Sequence, residues 1–352
     1  MRKSDIIGIL LLAFVAGCHF ITPMADFYAE RCYPVISAVL SFCAAAVPFS
    51  LEEIVVLGFA AAIIAAIVRA IRKKERFMRW LGRTARILMW LTVWFYMGWG
   101  NNYGRTGLYQ RNGIQRVSFE QEHFKAFLED YARELNLAAA EAEAEAYDIT
   151  ALESNIRDYY SNNVSSYGYT RLHRWQHIKK PLLNPLYSAV SVLGFVGPFF
   201  CESQVNRDLL DYEYPYTAAH EMGHLAGVTS EAEASYWGFA FCRDAQDAAV
   251  RYSGYLAILP YVVSNAKALL PQQEYEAWSA TLCDRAKTDY NNSRTYWMGK
   301  RVPWISKLQN WFYNIYLKSN GISEGVKDYS GVVSMIMTMD ANGQSVTDEP
   351  LE

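Results

Sequence analysis

The sequence predicts a mainly α-helical protein in two parts: apolar N-terminal helices of membrane-spanning length, then a predominantly helical body with a short β-hairpin or edge strand. Three observations predict it. Long uncharged apolar runs are confined to the first hundred of 352 residues. Stretches rich in good helix formers recur through the remainder. A segment mixing β-branched and aromatic residues with glycine, 187–206, is the clearest strand signal. The mean hydropathy of -0.05 averages two unlike parts.

With 52% hydrophobic and 20% charged residues, the chain is neither a disordered tail nor a low-complexity polymer. Residues 1–86 hold 11 Lys/Arg and 6 Asp/Glu, while the rest hold 22 and 30. An acidic body without a basic stripe excludes nucleic acid as the partner, because neutralising phosphates needs clustered cations.

Along the first part, membrane spans are expected at about 6–22, 52–70 and 83–100, the third carrying Trp90, Trp94, Tyr96 and Trp99 suited to an interfacial belt. Residues 69–86 contain eight Lys/Arg against the single Glu75, which makes this loop cytoplasmic. Arg2 and Lys3 put the N-terminus on the same side, so three crossings leave everything beyond Trp99 outside the cell. Residues 32–51 are uncharged, yet a fourth crossing would turn the cationic loop outward. They are therefore expected to form an interfacial or re-entrant helix pair broken at Pro34 and Pro48, the alternative being a helix buried among the spans. Val15-Ala16-Gly17-Cys18 gives the first segment a second reading as a lipoprotein processing site with Cys18 lipidated, against which Asp5 counts.

The second part, 101–352, opens with a helical stretch at Phe119–Tyr147 and a loop-like segment at 161–169. His173 and His177 lie four apart, but with no acid or cysteine beside them they are expected to serve surface or packing roles. In 187–206, Pro198 favours an edge position that would leave backbone groups free for an extended peptide, with Phe199, Phe200 and Glu202 lining it. An ordinary hairpin packed on the body is the alternative. Three cysteines, Cys201, Cys242 and Cys283, fall in this part, at spacings that suggest no disulfide framework.

The chemistry concentrates in His220-Glu221-Met222-Gly223-His224. On a helix, residues four apart share a face, so both imidazoles can reach one metal ion while Glu221 is placed to act on its water. Thr217 is a plausible cap, and Gly227 a stop where positive φ is permitted. No histidine follows His224, so the third ligand of a catalytic zinc should be a carboxylate, and Glu231 and Glu233 are nearest. Only one can face the metal. Glu231 shares its face with the small Ser235, Gly238 and Cys242, which would let its helix lie close, and is favoured; Glu233, aligned with Trp237 and Phe241, is the reserve.

The histidine motif followed by a helix beginning Glu231-Ala-Glu233-Ala-Ser235 resembles the gluzincin arrangement of zinc peptidases. Over nearly its full length the chain also resembles the DUF3810 family of bacterial membrane proteins of unknown function. The shared features are Trp99-Gly-Asn-Asn-Tyr103-Gly-Arg105, the segment 194–206, the histidine helix and the segment 316–330. The resemblance implies a zincin-like body outside a bacterial cytoplasmic membrane. Ser235 stands where gluzincins often carry Asp or Asn to orient a ligand histidine, and a hydroxyl does this more weakly.

Residues and resemblance together lead to a membrane-anchored zinc metallopeptidase with one Zn²⁺ per chain, acting on a peptide or protein near the lipid bilayer. His220, His224 and Glu231 would hold the zinc, which polarises the scissile carbonyl and activates water, and Glu221 would serve as general base. Tyr329 and Tyr316 are candidate oxyanion donors. Two other readings are a noncatalytic zinc-stabilised membrane sensor or scaffold, and a zinc hydrolase of a nonpeptide cell-envelope amide. A free carboxylate beside the ligands favours catalysis over a structural zinc site.

Overall fold

The computed structural model describes residues 2–73, 76–117, 120–142, 147–320 and 331–347. The chain is helical almost throughout, around a small three-stranded sheet. Helix α1 (Lys3–Phe20) leads to α2 (Thr22–Phe27), which continues through a π turn at Tyr28–Cys32 into α3 (Tyr33–Ala45). Then come α4 (Leu51–Arg72) and α5 (Phe77–Gly98), and a 3₁₀ turn at Gly100–Gly104 enters the body. The body contains α6 (Leu108–Asn112), α7 (Gln121–Glu141), α8 (Ile149–Asn162), β1 (Ile178–Lys179), α9 (Asn184–Ala189), β2 (Gly194–Gly197) and β3 (Glu202–Val205). It continues with α10 (Tyr214–Leu225), α11 (Glu231–Arg243), α12 (Ala248–Leu269), α13 (Gln272–Thr281), α14 (Asp284–Lys300), α15 (Pro303–Ser319) and α16 (Val332–Thr347).

Two helices, α1 and α4, are long and apolar enough to cross a membrane. Only 17% and 6% of their apolar windows are buried, so they are not core helices of the body: their apolar surface faces outward. Helix α5 starts six residues before the expected span and carries Arg79, Arg83 and Arg86 in its first half. It runs parallel to α1, since Arg86 pairs with Asp5 at 2.7 Å and Gly8 sits against Met89. Helix α4, joined to α5 by a short connection, runs the opposite way. The expected loop over 69–86 is therefore mostly helix, with 74–75 outside the described residues.

The expected break at Pro34 does not occur. Pro34 lies in the first turn of α3, where its missing N–H costs no intrahelical bond, and the π turn before it absorbs the ring. Pro48 does end the segment, in the turn before α4. One side of α3 packs on the body: the Tyr33 hydroxyl donates to the Leu225 carbonyl at 2.7 Å, and Trp175 Nε1 donates to Ser41 Oγ at 3.1 Å. The other side exposes Val35, Val39 and Phe42. Cys18 is fully buried against α2.

The expected hairpin is present as β2–β3, antiparallel, with β1 added parallel to β3. Strands β1 and β2 are the edge strands, and Pro198 directly follows β2; Glu202 starts the central strand β3. Side chains alternate across the sheet. Gly197 abuts Glu52 at the start of α4, while Gly194 abuts Glu221 on α10. The sheet thus lies between an apolar N-terminal helix and the histidine helix. Around α10 the core is built by α7, α8, α11, α12 and α16, with Leu135, Ile156, Met222, Ile258 and Val332 buried.

The stretch expected to be helical over 119–147 is α7, with Phe119 and 143–146 outside the described residues. His173 stacks on Trp175 at 4.4 Å, and His177 Nδ1 lies 3.0 Å from the Trp175 carbonyl. Both are packing residues.

Candidate metal centre

Helix α10 begins at Tyr214 with Pro215 in its first turn, earlier than a Thr217 cap would require. The Thr217 hydroxyl instead donates back to the Glu213 carbonyl at 2.8 Å. The helix stops as expected, with Gly227 at φ 93°. Between these ends His220 and His224 project from one face.

Helix α11 starts with Ser230, whose side chain accepts the Glu233 backbone N–H, so Glu231 is its first residue. A Cβ on Gly238 would lie 3.1 Å from the His220 backbone nitrogen, so only glycine lets α11 come this close to α10 without displacement. The approach brings Glu231 Oε2 to 3.2 Å from His220 Nε2 and 3.6 Å from His224 Nε2. All three ligand atoms lie within 4.8 Å of one another, and all three residues are buried.

The His224 tautomer is set from outside this cluster. His224 Nδ1 lies 2.7 Å from the Val228 carbonyl, so it carries the proton and leaves Nε2 free toward Glu231. Ser235 Oγ is 3.4 Å from His220 Nδ1, the position expected of an orienting residue. Tyr313 donates to Glu231 Oε1 at 2.7 Å and steadies the carboxylate.

Glu233 turns away. It accepts from the Tyr169 hydroxyl, on a ring stacked by the guanidinium groups of Arg105 and Arg111. Glu221 is buried, its Oε2 has no hydrogen-bond partner among the described residues, and its side chain passes directly beside Gly194 of the edge strand.

Three expected substrate-lining residues face elsewhere. Phe199 donates its N–H to Glu52 and stacks on Phe59; Phe200 packs on Trp94. Glu202 pairs with Lys179 at 2.6 Å and accepts the Leu51 and Glu52 backbone N–H groups, capping α4. The reason is the pleat: Glu202 and Gly197 share the sheet face opposite the histidines. Tyr329 lies outside the described residues, and Tyr316 is in α15 with its side chain likewise outside them.

Sequence reasoning missed Tyr313 and Trp99. Trp99 Nε1 donates to the His224 carbonyl at 2.8 Å, and its ring meets the His224 imidazole edge-on. Glycine inside a strand is a recognised sign of close backbone approach, so Gly194 could have been found. Nothing local marks Tyr313 among 25 tyrosines.

Burial lowers His220 and pushes Glu221 up to about 8, where His224 pulls against it and Glu231 adds to it. Burial also opposes charge on His224 and Glu231. Their mutual attraction wins, carrying His224 up to about 9 and holding Glu231 well below the usual carboxylate range. The pocket therefore favours a positive charge between these three side chains. Two imidazole nitrogens and a carboxylate oxygen, buried and within 4.8 Å of one another, fit a divalent cation of the zinc type.

Fold and site define a mainly helical protein with apolar N-terminal helices and a candidate metal centre between α10 and α11. The chain belongs to the DUF3810 family, described as protein of unknown function, which matches residues 28–337. Neither a curated protein nor a solved structure matches it.

Proposed function

We propose that this protein is a membrane-anchored, zinc-dependent metallopeptidase of gluzincin type whose body lies outside the bacterial cytoplasmic membrane. The observation that carries the reading is the convergence of His220, His224 and Glu231 next to Glu221, a buried carboxyl group whose Oε2 has no hydrogen-bond partner among the described residues. A structural metal site has no use for that fourth group.

His220, His224 and Glu231 would hold the cation, which would supply Lewis acidity toward a carbonyl and a water. Glu221 would take the proton from that water and return it to the departing amine. Strand β2 pairs only with β3 among the described residues, so its outer edge can receive an extended peptide. Because Gly194 touches Glu221, a chain paired there runs past the general base. Tyr313 donates its one hydroxyl proton to Glu231 Oε1 and holds that carboxylate in place.

Membrane placement follows from charge and helix direction. Arg2 and Lys3 open α1, and Arg69, Arg72, Lys73 and Arg76 flank the α4–α5 connection. The parallel course of α1 and α5 gathers them at one end, which the positive-inside rule assigns to the cytoplasm. The body is at the other end.

Full-length protein should carry about one zinc per chain by elemental analysis, and Glu221→Gln should retain it while losing peptide hydrolysis by about 10²-fold or more. Unchanged hydrolysis in Glu221→Gln would exclude this base.

A further inference from the structure

Helix α15 shows water an unusually apolar face. Trp304, Leu308, Trp311, Phe312 and Ile315 recur at steps of three and four, so they form one stripe, and Trp304 is 69% and Trp311 59% exposed. The opposite face carries buried Ser306 and the Glu231 partner Tyr313. Both ends of α15 are tied to the same level of the molecule. At its start, Val302 donates to the Ala189 carbonyl at 2.8 Å, on α9. The residues leading into α9 donate the Leu182 and Leu183 N–H groups to Glu53 in the first turn of α4, and Leu182 there and Leu186 within α9 are exposed. At its end, Asn320 accepts from the Tyr96 hydroxyl in the last turn of α5 at 2.9 Å. The stripe is thus continuous with the rim where α4 enters and α5 leaves the apolar part of the molecule.

We propose that α15 is an interfacial helix whose Trp304–Ile315 face lies in the headgroup region of the outer leaflet, with the lipid bilayer as its partner. The inference rests on α1 and α4 spanning that bilayer. Tryptophan suits this boundary, where a ring meets acyl chain on one side and water on the other, and a helix lying flat is held by a single apolar face. At 17 residues, about 25 Å long, α15 roofs the flank of the metal centre. Its lipid-facing residues and Tyr313 are opposite sides of one short helix, so seating on the membrane fixes the tyrosine against Glu231. Segments close to the membrane surface are the substrates such a site would meet.

The test is photolabelling of full-length protein in phosphatidylcholine–phosphatidylglycerol vesicles containing a phospholipid with a diazirine near the top of its acyl chain. Labelled positions are mapped by mass spectrometry. Label is expected in α1, α4 and the stripe of α15, and not at exposed Leu137 on α7. In Trp304→Glu/Trp311→Glu the α15 label should fall at least tenfold while α1 label and zinc content persist, which shows that the variant is folded. Label in α1 and α4 with α15 clean would overturn the proposal and leave the spans intact. Absence of label from all three would overturn the spans as well. Crosslinks between α15 of two chains, with no lipid adduct there, would assign the stripe to a second copy and also overturn it.

Discussion

Two carboxylates two residues apart, Glu231 and Glu233, separate the site from its surroundings. Residues two apart on a helix face nearly opposite ways, so when Gly238 allows α11 to close on α10 only Glu231 can meet the imidazoles. Glu231→Gln should therefore lose most bound zinc, whereas Glu233→Gln should keep it and only loosen the Tyr169 contact; equal loss in both variants would break this assignment. Acidification should release the metal, because protons compete for His220 and His224. Gly194 has a comparable weight on the other side of the site. A methyl group there would fall 2.5 Å from Glu221 Cγ. Gly194→Ala should keep zinc and reduce turnover at least tenfold, measured by parallel metal and peptide assays. The pentapeptide, its helix and the preference for Glu231 were legible because each depends on helical periodicity alone. Tyr313 was not, since its contact with Glu231 crosses 82 residues of chain.

At the scale of elements, the sheet holds α4 to the body. Lys179 on β1 and Glu202 on β3 form an ion pair with side chains 3% and 1% exposed, and Glu202 also satisfies the first N–H groups of α4. Removing the cation leaves a carboxylate buried beside Glu52, so Lys179→Met should cost about 3–5 kcal/mol, seen as a lowered unfolding midpoint in detergent. Phe199, Phe200 and Glu202 were expected at a substrate edge because their segment contains Pro198. The edge strand exists, but it ends at Gly197, and these residues belong to the turn and to the central strand. Pairing order is set by contacts distant in sequence, here between 178–179 and 203–204, which local pattern does not encode. The same holds for Trp99. Its motif was visible, but its place beneath the histidine helix follows from how α5 meets α10.

For the molecule as a whole, α1 and α5 run together and α4 returns beside α5, so both basic clusters lie at one end and the candidate metal centre at the other. A reporter inserted after Lys73 should be cytoplasmic and one fused at the C-terminus external; the reverse pattern would invert the arrangement. The candidate spans, the helical character of the body and the histidine motif were determined by the sequence itself, because apolar run length, helix propensity and the 3.6-residue period are local properties of the chain. The Gly194–Glu221 approach, the Tyr313 contact with Glu231 and the packing of α15 beside the site were decided only by tertiary structure. Each depends on the distance between elements packed together from remote parts of the chain, and that distance is fixed by which side chains leave room at the contact.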